Sequence, residues 1–151
     1  MVTKTVKYKG FDGEDIEEVI RLHLTKAEVM NLDLKYSDYG GLINYLRKIL
    51  TDVKDDETYM KPLITVLQTL ILAAYGRKTD DGKFIEKING VALADEFESS
   101  EAYSELLIHL ISDEGSNEIE PLILGMFPAD MVDQQALSAN RDKMKEALGA
   151  K

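Results

Sequence analysis

His23 and His109 are the chain's only histidines, and it has no cysteine. Nucleophilic catalysis needs a serine, threonine or cysteine beside a base such as histidine. Neither histidine stands in a recognisable constellation. His23 falls on the polar parity of a strand-like stretch, and His109 lies between Ile108 and Leu110 in a helix-like one, so both read as structural or surface groups. Gly40-Gly41 lacks the further glycines and the lysine of a phosphate-binding loop and reads as a helix break. Asp80-Asp81-Gly82 and the run from Asp52 to Glu57 could attract a divalent ion. Neither has the alternating oxygen ligands, the glycine and the closing glutamate of a calcium loop, and both read as solvated turns. Among 28 acidic residues, two carboxylates close in sequence say little about an acid–base pair. No metal or small-molecule cofactor is expected, since no ligand set has recognisable spacing. The chain reads as a binding protein and not as an enzyme.

The elements that would carry a binding surface follow from periodicity. Thr3 to Phe11 alternates, with Val6, Tyr8 and Gly10 on one parity and Thr5, Lys7 and Lys9 on the other, and Asp12-Gly13 supplies a turn. The second arm, Asp15 to Leu24, also fits helical spacing through Ile16, Val19, Ile20 and Leu24. The strict alternation of Ile20-Arg21-Leu22-His23-Leu24 favours a strand, and so a hairpin over residues 3–24. Thr25-Lys26-Ala27-Glu28 has the form of a capping box, which starts a helix running to about Leu34.

After the break from Tyr36 to Gly41, Leu42, Ile43, Tyr45, Leu46, Ile49 and Leu50 recur at helical spacing. Asp55 or Asp56 caps a third helix with Pro62 near its start and Gly76 at its end. Leu63, Ile64, Val66, Leu67, Leu70, Ile71, Leu72 and Ala74 leave that helix little polar surface, which makes it the expected centre of the core.

Arg77 to Gly90 reads as a loop, with a turn at Thr79 to Gly82 and Phe84-Ile85 as an anchor. Ser99 or Ser100 caps a helix through Ile111 that buries Ala102, Tyr103, Leu106, Leu107 and Leu110. Asn117-Glu118-Ile119-Glu120 offers a second capping box ahead of Leu122, Ile123, Met126 and Phe127, and Pro128 stops that helix.

The expected fold is mainly α (α+β): an N-terminal β-hairpin followed by a compact bundle of five or six helices, with residues 1–130 as one domain. Residues 131–151 form an amphipathic tail or helix. The candidate contact residues are Phe127, Met131, Leu137, Met144 and Leu148, too sparse for a second core and suited, through methionine, to an adaptable surface.

Charge and hydropathy narrow the function classes. The formal net charge is −10, and the whole imbalance lies between Val91 and Asp130, which hold ten acidic residues and no lysine or arginine. Such a surface repels phosphate backbones, so nucleic-acid binding is not expected. It serves either as a solvated face or as a docking face for a basic partner. No stretch approaches the roughly 20 apolar residues of a membrane span. Met1-Val2-Thr3-Lys4 leads into no apolar block with a cleavage site, so export is not expected.

Leu24-Thr25-Lys26-Ala27-Glu28, followed by Gly40-Gly41-Leu42 with Tyr45-Leu46 and Ile49, resembles the first half of the tail assembly chaperones of long, non-contractile bacteriophage tails. Ala74-Tyr75-Gly76-Arg77, Asp80-Asp81-Gly82-Lys83-Phe84, Phe97-Glu98 and Ala102-Tyr103-Ser104-Glu105-Leu106-Leu107 are similar to that family's tyrosine-glycine, aspartate-glycine and alanine-tyrosine signatures, in the same order. The resemblance covers roughly residues 5–130.

It implies a chaperone of virion morphogenesis that binds the tape measure protein, keeps it soluble in the host bacterial cytoplasm while the tail is assembled, and is absent from the finished virion. It implies the tail tube protein as a further partner and leaves a homo-oligomer open. The competing reading is an acidic nucleic-acid mimic or regulatory binding protein of a phage or mobile element, with the carboxylates of Val91 to Asp130 standing in for phosphates.

Overall fold

The computed structural model describes residues 1–55, 58 and 60–131. Strands β1 (Val2–Lys9) and β2 (Asp15–Leu22) pair antiparallel, with Val2 opposite Leu22 and Lys9 opposite Asp15. The turn closes as the Gly10 N–H donates to the Glu14 carbonyl at 2.7 Å and the Gly13 N–H to the Gly10 carbonyl at 2.9 Å. Gly13 sits at φ 85°, a left-handed conformation that glycine adopts without steric cost. The expected alternation holds at the end of the second arm, where Ile20, Leu22 and Leu24 are buried while Arg21 faces solvent.

Helix α1 (Lys26–Lys35) begins at the expected capping box. The Glu28 N–H donates to Thr25 Oγ1 at 3.2 Å, and the Thr25 N–H to Glu28 Oε1 at 3.0 Å, so two amides without helical partners are satisfied reciprocally. A 3₁₀ turn, Ser37–Tyr39, and two left-handed glycines, Gly40 and Gly41, reverse the chain into α2 (Leu42–Asp55). The start of α2 is capped from a distance: the Leu42 N–H donates to Asp33 Oδ1 at 3.0 Å.

The central helix is α3 (Met60–Ala74), which buries Leu63, Val66, Leu67, Leu70, Ile71 and Ala74 and packs against α2 and β2. Asp55 is the last residue of α2 and so does not cap α3, and Asp56 lies outside the described residues.

The expected loop after α3 instead holds two short antiparallel ladders. Strand β3 (Arg77–Lys78) pairs with β4 (Phe84–Ile85), and β5 (Lys87–Ile88) with β6 (Val91–Ala92). The second closes through Asn89 at φ 51° and Gly90 at φ 80°, an Asn-Gly turn whose positive φ values match the twist of a hairpin. Helix α4 (Leu93–Glu98) follows at once and buries Leu93 and Phe97. No side chain caps it, which is why no boundary signal marks it in the sequence.

Ser100 caps α5 (Glu101–Ile111) by accepting the Tyr103 N–H at 3.2 Å. Helix α6 (Ile119–Met126) buries Ile119, Leu122, Ile123 and Met126 and ends at Phe127 in extended conformation, ahead of Pro128. The capping box expected at Asn117 to Glu120 does not form. A 3₁₀ turn, Ser116–Glu118, runs straight into the helix, and the Glu118 N–H is taken by the Gly115 carbonyl at 2.9 Å. The carboxylate that would close the box, Glu120, is held instead by Arg47 at 2.7 Å. One cluster of buried apolar residues extends from Ile20 to Phe127 through all six α-helices and the hairpin except Leu93 of α4.

Candidate functional site

Among the described residues, no group of three or more histidines and carboxylates is placed to hold a metal ion. Asp80, Asp81 and Gly82 form a turn in which the Gly82 N–H donates to the Thr79 carbonyl at 3.0 Å and the Thr79 hydroxyl meets the Asp81 carboxylate. At Gly40-Gly41 the helix N-terminus that could attract an anion is already occupied by the Asp33 carboxylate.

The two histidines lie in different settings. His23 stacks edge-on against Phe84, with ring centroids 5.6 Å apart, and burial lowers its pKa. Its Nδ1 is shielded from solvent without a hydrogen-bond partner, and so is Oε1 of Glu86. Burial, and then the like charge of Glu28, push the Glu86 carboxyl up to about 7. His109 is paired with Glu118, whose carboxyl also takes Lys4 Nζ at 3.1 Å, and these two contacts hold Glu118 below the usual carboxylate range.

The ten carboxylates between Val91 and Asp130 divide into two groups. Glu118, Glu120 and Asp130 are committed to Lys4, Arg47 and Lys26, which tie the C-terminal elements to the hairpin, α2 and α1. Asp95, Glu96, Glu98, Glu101, Glu105, Asp113 and Glu114 have no ion pair among the described residues. Part of this second group faces the hairpin: burial and then Glu18, Glu101 and Glu14 raise the Tyr8 phenol, and Tyr75 is raised by burial, Glu18 and Glu96. The ten residues are thus spread over α4, α5, α6 and the turns between and after them, and three of them serve internal contacts. A continuous strip of phosphate mimics is not what this arrangement presents.

Of the expected contact residues, Phe127 is 2% exposed and belongs to the core, and Met131 packs half-buried against it. Leu137, Met144 and Leu148 lie outside the described residues. Two further apolar surfaces were not anticipated from sequence. On α1, Met30 and Leu34 stand 60% and 69% exposed one turn apart.

Between α2, α3, α5 and α6 runs an open groove of about 1010 Å³. Leu63 and Leu110 form its floor, and Leu50, Val53, Ile111 and Leu124 its walls. Its residues are separated by up to 77 positions in the chain, so periodicity could not have assembled it.

Among the described residues no helix is long and apolar enough to cross a membrane. A sequence model of a phage tail assembly chaperone family matches residues 1–150. No curated protein and no solved structure matches the chain.

Proposed function

The chain belongs to a phage tail assembly chaperone family over nearly its whole length, and from that membership we propose that it binds the tape measure protein and keeps it soluble while the tail is built. The match over residues 1–150 is the observation that carries the reading. The chemistry agrees with it. A long helical protein waiting for its tube exposes apolar faces that aggregate at working concentrations. A partner with open apolar surface of its own and a formal charge of −10 can cover those faces and keep the complex dispersed.

Binding, not bond chemistry, is the work of such a protein. A helper of this kind acts in the host cytoplasm and is left out of the finished virion. The tail tube protein, which must polymerise around the same partner, is a second protein it would meet, and self-association belongs to the same reading.

We place the contact in part on the C-terminal segment, through Met131, Leu137, Met144 and Leu148, with Phe127 as the anchor in the core that precedes it. A chain ending at Asp130 tests this directly. It should keep its helical circular dichroism and melting temperature and lose the ability to hold a co-expressed tape measure protein in solution. Unchanged holding would move the contact onto the described surface.

A further inference from the structure

We propose that the groove between α2, α3, α5 and α6 is a seat for one amphipathic helix whose apolar stripe is edged by lysine or arginine. The inference rests on the reading above, that the partner is helical, and adds where on this chain such a helix lies and what its edge must carry. The groove is built as a helix would need it. Leu50 and Val53 stand one turn apart on α2, as do Met60 and Leu63 on α3, and Ile111 and Leu124 close the opposite wall. A fifth helix laid here adds its apolar stripe to a layer that four helices leave open, the helix-in-groove mode of recognition. Met60 gives one wall a side chain that accommodates more than one packing partner.

Charge decides the edge. On one side of the groove Glu120 is neutralised by Arg47 at 2.7 Å. At the end of α5, Asp113 lines the rim and Glu114 follows it in the chain, both exposed and without an ion pair among the described residues. An occupant with a glutamate edge would meet the uncompensated carboxylate of Asp113, with the charge of Glu114 next to it, whereas a lysine edge pairs with Asp113. The asymmetry also fixes which edge of the helix must be basic, namely the one facing the C-terminal end of α5.

The test is a methyl NMR titration of the full chain with a synthetic amphipathic helix that carries a leucine stripe edged by lysines, beside the same peptide edged by glutamates. The lysine peptide should shift the methyls of Leu50, Val53, Ile111 and Leu124. The glutamate peptide should bind roughly tenfold more weakly. The double variant Asp113→Lys, Glu114→Lys, exposed and so neutral for folding, should reverse that preference.

Shifts confined to Met30 and Leu34, no binding of the lysine peptide, or groove shifts that follow dilution of the chain alone, as a second copy would cause, each overturn the proposal. Co-expression separates this inference from the functional reading. If the natural chain holds the tape measure protein in solution and a folded Leu124→Glu variant holds it equally well, the groove is not the seat and the function stands. If the natural chain does not hold it, the function fails, and the peptide titration still decides the groove.

Discussion

The Leu24 N–H donates to the carbonyl of Met126 at 2.7 Å, one residue after the His23 N–H has reached the carbonyl of Ala74 at 2.9 Å. Successive amides of an extended chain point in opposite directions, so the two residues that follow β2 satisfy the last turns of two different helices, α6 on one side and α3 on the other. The end of α6, and with it the position of Phe127 and Met131, is thereby set by the N-terminal hairpin.

Hydrogen exchange checks this coupling. The amides of His23 and Leu24 should exchange only when the whole domain unfolds, at the slow limit shared with the interior of α3. Exchange of either amide at the rate of the exposed hairpin turn would show that the hairpin end opens independently of the two helices.

Replacing Leu70, fully buried at the centre of α3, by alanine should cost about 2–5 kcal/mol in chemical denaturation, through lost burial and the cavity left behind. Leu34→Ala, on the exposed face of α1, should change stability by less than about 0.5 kcal/mol. Equal effects would contradict the assignment of α3 as the centre.

Stability should depend on pH through Glu86. Its carboxyl is pushed up to about 7 by burial and by Glu28, against an ordinary value of 4.5 in the unfolded chain. The folded state therefore holds the proton more tightly. The contribution is fully present below the unfolded value and is lost as pH rises through about 7. Glu86→Gln removes that loss, so the variant should melt higher than the natural chain at pH values above 7 and lose this advantage towards pH 5. Melting curves that keep the same offset across this range would contradict a raised Glu86 carboxyl.

The parts of the fold legible in the sequence are those whose signal is local. Thr25 and Glu28 cap their own helix from three residues apart, and Ile20, Leu22 and Leu24 declare a buried strand face by alternation. Asn89-Gly90 carries the residues of a hairpin turn, but the strands it joins, two residues each, are too short to show an alternation.

What local reading missed was decided at a distance. The Asn117 box has the right residues, yet Arg47 holds its glutamate and the 3₁₀ turn Ser116–Glu118 runs through its first residues into the helix. The N-terminus of α2 has no capping residue of its own because Asp33 reaches it across the Gly40-Gly41 turn. The groove draws on four helices, and no window along the chain could display it.

Co-expression of the chain with its tape measure protein tests the central claim most directly. The account predicts that the tape measure protein, insoluble when expressed alone, moves to the soluble fraction and co-purifies with this chain. A tape measure protein that still pellets, or that stays soluble without retaining the chain through purification, would contradict it.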